Sequence, residues 1–384
     1  MKKLKVRIIG AGPTGLLLAN SLAKLNINVH IYDLLSKDQL LVKDKTYAIT
    51  HSSKLILEKF DIWNQLEPHI YSFKSLLISD SFIRKSSLFS SNDLPSDLSY
   101  SDDIGWVVKH SVLTETLIKK LSNYENVNFI NKNPVLSFKS DFDFEFFADG
   151  ANSGYKKSFG LFNFKSSYEQ CCLTFKVLLR GTRVKRAYEI FRDEGPLALL
   201  PLSNNLYQVI WTSNKIYAKK RMNSSECLLL DNLSASLPKD FKVDQIIGDI
   251  KSFPVALSLT VPIFNFKKHI FVGDSLHTFH PVGGQGLNSC WRDVDCIYNY
   301  LNRNIIKSKK SILFFKFYFY WNRFIDIFSV VFTTHSLITI FANNNIFLIP
   351  IRLISFFFLR KSKFVRKMVL SYMTKSLSFN SIKH

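Results

Sequence analysis

Val6-Arg7-Ile8-Ile9-Gly10-Ala11-Gly12-Pro13-Thr14-Gly15 is the stretch that decides the fold. A short β run stops at a glycine. Leu16-Leu17-Leu18-Ala19-Asn20-Ser21-Leu22-Ala23 then reads as a helix with a packing face, and Asn28-Val29-His30-Ile31-Tyr32 as a second strand ending at Asp33. This is a βαβ unit with a G-x-G-x-x-G turn. The first glycine makes the turn, the second lets a pyrophosphate approach the backbone, and the third lets helix and strand pack closely. Asp33 lies close to the expected distance of about 20 residues beyond the turn, where an acid accepts ribose hydroxyls. An acid there favours a free ribose over a 2′-phosphate.

Working outward, a chain of 384 residues is long for one core, so more than one lobe is expected. The net charge is +21 and the pI about 9.6. A basic balance of that kind suits nucleic acid, an anionic membrane surface or an acidic substrate. No basic helix or aromatic stacking module is present, so nucleic acid is not expected as a partner. The 35 Phe against 14 Gly fit a coding bias that also enriches lysine, which makes much of the charge solvated surface. Cys171, Cys172, Cys227, Cys290 and Cys296 form no C-x-x-C pair and are odd in number. They read as reduced core thiols of a cytosolic protein, with neither a disulfide framework nor a zinc site. The apolar run after Met1 breaks at Gly10, which fits no signal peptide.

Two further stretches carry chemistry. Asp141 to Phe147 alternates as a strand and runs into Ala148-Asp149-Gly150-Ala151-Asn152-Ser153, placing a carboxylate at a strand's C-terminal end. Phe271-Val272-Gly273-Asp274 through Pro281-Val282-Gly283-Gly284-Gln285-Gly286-Leu287-Asn288 reads as a strand end, an acidic turn, a glycine loop and a helix start. The free N–H groups at such a helix start favour an anion. His277 and His280 hint at metal ligation, but no third ligand is suitably spaced, and no metal is expected. Ser52 or Ser53 is expected to cap a helix from Leu55, Ser111 to cap the helix Val112 to Leu121, and residues 86–103 to form a loop. From Cys171 to Trp211, and again over Phe253 to Val261, β segments alternate with turns and suggest an antiparallel sheet in a second lobe. The last third is aromatic and basic. Its apolar segments, Ile312 to Trp321, Phe324 to Phe341 and Ile346 to Leu359, read as amphipathic helices that cover the lobes or rest on a bilayer rather than as a clean span.

Together, Gly10–Gly15, Ala148–Ser153 and Gly273–Asn288 resemble the class A flavoprotein monooxygenases, typified by para-hydroxybenzoate hydroxylase. Within that group the likeness is to the ubiquinone-biosynthesis hydroxylases, through Lys45 to Ile49, Gly195 to Leu202, His277 to Asp293, Arg323 to Asp326 and Asn343 to Asn345. The resemblance implies an α/β fold in three parts. A discontinuous Rossmann-like FAD-binding domain takes 1–75, 97–167 and 265–310. A mainly antiparallel β-sheet substrate domain takes 76–96 and 168–264, and 311–384 form a helical C-terminal region.

It also implies FAD as cofactor and NAD(P)H as co-substrate. Gly10, Ala11, Gly12, Pro13, Thr14 and Gly15 would hold the pyrophosphate, Asp33 the adenosine ribose, and Gly273-Asp274 the ribityl hydroxyls. Pro281 and Gly286 would position the flavin ring, with backbone at Leu287 and Asn288 facing N1 and O2. Asp149 would serve both flavin and NAD(P)H. No acid or base is assigned. Lys45 would also belong to the cofactor site; it and Lys156 stand where the family usually has Arg, and a point charge cannot make Arg's bidentate fork. The segment from Leu121 to Asp149 is shorter than usual. The implied reaction is hydroxylation of a prenylated phenol in ubiquinone- or plastoquinone-type biosynthesis, through reduced flavin and a C4a-hydroperoxide. Two alternatives stay open: a flavin-dependent prenyl reductase or hydroxylase of another hydrophobic aromatic, and a non-catalytic flavin-binding scaffold of a quinone-synthesis complex. The implied location is cytoplasmic, peripheral at the inner face of a membrane.

Overall fold

The computed structural model describes residues 4–132, 141–261, 268–304 and 309–375. Part of the short segment before Asp149 (133–140) and the end of the basic tail (376–384) therefore lie outside the described residues. The first half of the chain gives β1 (Lys5–Ile9), α1 (Pro13–Lys24), β2 (Asn28–Asp33), α2 (Lys37–Leu41), β3 (Thr46–Ile49), α3 (His51–Lys59), α4 (Trp63–Leu66), β4 (Tyr71–Phe73), β5 (Ser75–Asp80) and β6 (Lys85–Ser90). Next come β7 (Gly105–Lys109), α5 (His110–Leu121), β8 (Val127–Asn131), β9 (Phe144–Phe147), α6 (Tyr155–Ser158), β10 (Asn163–Arg180), β11 (Arg186–Phe191), β12 (Leu197–Pro201) and β13 (Leu206–Asn214). The rest is α7 (Lys215–Met222), α8 (Glu226–Ala235), β14 (Lys242–Thr260), β15 (His269–Phe271), β16 (His277–Thr278), α9 (Gln285–Arg303), α10 (Lys309–Phe341), α11 (Ile349–Lys361) and α12 (Lys363–Lys375).

The first sheet has the order β15-β9-β1-β2-β8 and is parallel throughout. Its central strands are covered on both faces, so Val6, Ile8, Phe144 and Phe146 on one side and Ile9 and Phe147 on the other are all buried. Two charged residues in this core, Arg7 and Glu145, sit on paired strands 3.0 Å apart, and His269 meets the other Glu145 oxygen at 2.8 Å. Helix α1 starts at Pro13, whose missing N–H costs nothing at a helix N-terminus. It packs against the sheet because Gly15 has no Cβ: one placed there would sit 1.9 Å from the Gly10 carbonyl oxygen.

The second sheet is eight-stranded, in the order β16-β14-β10-β13-β12-β11-β5-β6. Its pairs are antiparallel except β5 with β11, which run parallel, so the sheet is mixed. Helices α7 and α8, not foreseen in the sequence, contribute Ala218, Leu229 and Leu233 to the core on one face. The other face is roofed by α10, α11 and α12.

Several local expectations are corrected. Helix α3 starts at His51 after Thr50, not after Ser52 or Ser53, because Ser53 instead bonds Asn288. Helix α5 starts at His110 with Lys109 as its cap residue, so Ser111 is not the cap. Residues 86–103 are not all loop, since β6 pairs with β5 there. Cys227 is exposed on α8 rather than in the core. The segments Ile312 to Trp321 and Phe324 to Phe341 are one helix, α10. Over Ser311–Phe341 it is long and apolar enough to cross a membrane by length and composition.

Candidate functional site

The three sequence motifs meet at the C-terminal ends of the parallel strands, where ligands of open α/β sheets bind. Gly10 has φ +101°, and a Cβ on it would lie 2.5 Å from the Ala148 carbonyl oxygen. The first glycine turn and the Asp149 turn therefore touch only because residue 10 has no side chain. Gly273 in turn lies against Thr14, where a Cβ would be 2.9 Å from the threonine methyl. At Gly12, by contrast, a Cβ would meet nothing within 4 Å, so that backbone is bare.

Charge follows the same convergence. Asp149 Oδ1 is buried without a partner, and burial raises its carboxyl above the usual range, against the pull of Ser153 and Lys156. Lys156 is buried, which lowers its amine, while Asp149 and Asp274 both pull it back, so one cation serves two carboxylates. Its ammonium also reaches the Ala151 carbonyl at 3.3 Å. Asp274 is exposed between buried Gly273 and Ser275 and accepts the Cys290 thiol at 3.4 Å. Burial pushes that thiol well up, and the Asp274 charge adds to it. Asp33 is partly used within the protein: one oxygen accepts Ala11 N–H at 2.7 Å and the other Leu35 N–H at 2.9 Å. Each oxygen keeps a further lone pair for a hydroxyl. Lys45 is exposed just before β3, with its charge near His110.

The glycine loop leads into α9 through Gly283 (φ +72°) and Gly284 (φ +62°), consecutive left-handed residues that L side chains resist. The first-turn N–H groups of α9, at Gln285, Gly286 and Leu287, have no partner within the helix. Asn288 is buried and pins the loop. Its amide donates to Ala48 O at 2.9 Å and Gly284 O at 2.7 Å, while its oxygen accepts Thr50 N–H at 3.1 Å and Ser53 hydroxyl at 2.7 Å. Bare backbone at Gly12, an acid at Asp149 whose Oδ1 has no hydrogen-bond partner, an exposed acid at Asp274 and free N–H groups at Gly286 and Leu287 fit an extended, phosphate-bridged dinucleotide such as FAD.

Behind the loop lies a buried ion network. His277 Nε2 meets Asp293 Oδ2 at 2.9 Å, Arg323 Nε meets Asp293 Oδ1 at 2.6 Å, and Asp326 accepts from both Arg323 and Arg292. Burial alone would raise the Asp293 carboxyl, but His277 and Arg323 outweigh it and hold it low. Gly273 N–H also donates to Asp293 at 2.8 Å, so the acidic turn, α9 and α10 are tied at one carboxylate. His280 is likewise occupied. Its Nδ1 accepts Val282 N–H, its Nε2 pairs with Gln170, and burial keeps it neutral by lowering its pKa to about 3. His280 has both ring nitrogens engaged and His277 has its Nε2 on Asp293, with Nδ1 buried and without a hydrogen-bond partner; no group of three or more potential ligands forms among the described residues.

In front of the loop is a cavity of about 790 Å³. Its floor is the second sheet (Leu76, Ile78, Ala198, Leu200), its inner end is Pro281 to Gln285, and its roof is α10 to α12. The sequence reading missed the carboxylate among its described lining residues. On β11, Ala187, Glu189 and Phe191 face the cavity while Tyr188 and Ile190 enter the sheet core, as period-2 alternation requires. An acid between Ala187 and Phe191, on an otherwise apolar strand face, was the available signal. Burial pushes the Glu189 carboxyl up to about 7, against a weaker downward pull from the Gly283 backbone.

No family model matches the chain. Among known sequences, it is 28% identical over 306 residues to the uncharacterised protein slr1300 of Synechocystis, covering 75% of this chain and 72% of that one. It is 21% identical over 380 residues to the mitochondrial ubiquinone biosynthesis monooxygenase COQ6 of Dictyostelium discoideum, covering 78% and 76%. Among solved structures, p-nitrophenol 4-monooxygenase PnpA of Pseudomonas putida superposes with a TM-score of 0.77 at 16% identity, over 96% of this chain and 97% of that one. At that identity the superposition speaks for the fold.

Proposed function

We propose that the chain is a class A flavoprotein monooxygenase, an FAD-dependent hydroxylase of a prenylated phenol in quinone biosynthesis. The observation that carries this reading is the apolar cavity ending on the glycine loop. Its size lies within the range of small-molecule sites, roughly 300–1,000 Å³. Phe358 and Met368 line it and are also 50% and 57% exposed, so it reaches the surface between α11 and α12. A ring held at the loop could extend its isoprenoid tail along that apolar path.

In this reading the chain's residues bind and exclude. Gly10, Gly12, Gly15 and the start of α1 hold the pyrophosphate, Asp33 the adenosine ribose, and Asp274 the ribityl hydroxyls. Pro281 to Gly284 would hold the flavin ring at the inner end of the cavity, and the N–H groups of Gly286 and Leu287 would offer it positive charge. When bound, FAD supplies oxygen activation and delivery of one oxygen atom to the ring. The apolar walls keep water from that step. NAD(P)H serves as reductant, with Asp149 and Lys156 at its approach. The first sheet with α1, α5 and α9 forms the FAD unit, and the eight-stranded sheet forms the substrate unit.

The exposed stripe Phe314, Phe317, Trp321, Phe324, Phe328 and Phe332 recurs at helical spacing along α10. With Arg360, Lys361 and Lys363 exposed at the end of α11 and start of α12, it suits an anionic bilayer that would hold the lipid substrate. The test is purification followed by reconstitution with FAD and a short-chain prenylphenol. A yellow protein that oxidises NAD(P)H faster with the phenol, and releases a hydroxylated product, supports the proposal. Flavin retention without turnover would favour the scaffold reading. A protein that takes up no FAD would overturn both.

A further inference from the structure

We propose that Glu189 is the group that receives the ring hydroxyl of the bound substrate and accepts its proton. The inference rests on the reading of the cavity as a phenol site, and it assigns that site an acid–base residue. Geometry carries it. The side chain points from the middle of β11 into the cavity, between Ala187 and Phe191 on its own strand and beside Ile78 and Ala198, its register partners on β5 and β12. Pro281 to Gln285, which close the inner end, line the same cavity. A carboxylate therefore shares one largely apolar cavity with the glycine loop.

Charged company is sparse. Among the described residues that line the cavity, Tyr372 of α12 is the other titratable side chain, and its hydroxyl pairs with Thr333 and Ser329. Cys172, which feels the Glu189 charge through the sheet, has its thiol pushed up to about 12 by burial and does not titrate near neutrality. A carboxyl raised by burial to about 7 suits proton transfer at ordinary pH, because a general base works best when its pKa lies near the working pH. In the step, the phenol O–H bond breaks and its electron pair stays on the phenolate oxygen. The proton forms a new O–H bond on the carboxylate. The phenolate makes the ring more electron-rich at the positions ortho and para to it.

The test uses FAD-loaded protein and two probes that differ in one methyl group, 4-heptylphenol and 4-heptylanisole, with binding followed by equilibrium dialysis between pH 5 and 9. Wild type should favour the phenol at least tenfold at pH 8, the preference shrinking below pH 6 as Glu189 becomes protonated. Glu189→Gln and Glu189→Leu should bind the anisole as wild type does and lose both the preference and its pH dependence. Retention of the preference by both variants, or equal binding of the two probes by wild type, overturns the role of Glu189 alone. Failure of wild type to bind either probe overturns the phenol-site reading, and this inference with it.

Discussion

Asp274 is exposed while Gly273 and Ser275 on either side are buried, and the Cys290 thiol that donates to it is a weak donor. Its replacement should therefore cost the fold little and the cofactor much. Asp274→Ala is expected to lose FAD on gel filtration while its circular-dichroism melt stays near that of wild type; full flavin occupancy would refute the ribityl assignment. Glu189 tests the opposite balance. Its folded-state carboxyl is raised to about 7 from an ordinary 4.5, so the native state binds the proton more tightly than the unfolded chain. That stabilisation is complete below about pH 4.5 and is lost as pH rises through 7. Glu189→Gln should accordingly be more stable than wild type at pH 8, by on the order of 1–3 kcal/mol, and gain nothing at pH 4. Urea unfolding at the two pH values reads the difference, and an equal effect at both would mean that burial of the charge is not its cause. These two residues also mark what a sequence can disclose. Asp274 sits in a motif whose spacing carries meaning. Glu189 sits in an ordinary strand, and its importance arises from which face of β11 looks into the cavity, a fact created by the pairing of β11 with β5 more than 100 residues earlier.

At the scale of elements, the βαβ unit was legible because its period, its glycines and its acid are local. The bond from Asn288 to Thr50 and Ser53 was not, since it joins positions more than 230 residues apart. That bond moved the start of α3 from the serines to His51. The seam between α9 and α10 is of the same kind. Arg323 and Asp326 stood out only as a resemblance. In the fold they close the network on Asp293 that also holds Gly273 N–H and His277. Breaking a buried ion pair by removing one partner leaves a stranded charge, which costs about 3–5 kcal/mol. Arg323→Ala should destabilise the protein by that amount. Because Asp293 also holds the acidic turn, the same variant should lose FAD more readily on dilution. A variant that melts like wild type would show the network to be dispensable. Asp293→Asn should also destabilise, since an amide that accepts from Arg323 turns its NH2 group toward the Gly273 N–H donor.

For the whole molecule, the sheets divide the labour. The parallel sheet brings three glycine turns to one edge, and the mixed sheet supplies the floor of a cavity that the C-terminal helices complete. Those helices are where composition alone was least informative, because an apolar, basic tail is equally suited to packing and to lipid. The structure gives them both faces. Phe315 and Phe319 of α10 are fully buried against the first sheet, while Phe324, Phe328 and Phe332 are 60–64% exposed and stack in succession at 6.0 and 6.5 Å. Although α10 is long enough to span a bilayer, Arg323 and Asp326 are buried in its pairing with α9, so insertion would have to break that network. The proposed mode is therefore contact at the surface, with the aromatic stripe in the interface and the exposed lysines and arginines on the headgroups. Binding to vesicles should need both terms. Wild type is expected to co-sediment with vesicles containing anionic lipid, weakly with neutral ones, and less at high salt. Replacing Phe324 and Phe328 with Ser should reduce binding several-fold without changing FAD retention, because neither ring touches the cofactor loop. Equal binding to neutral vesicles would assign the contact to apolar area alone. No binding to either would leave the stripe to another partner and require the lipid substrate to reach the mouth at Phe358 and Met368 by a different route.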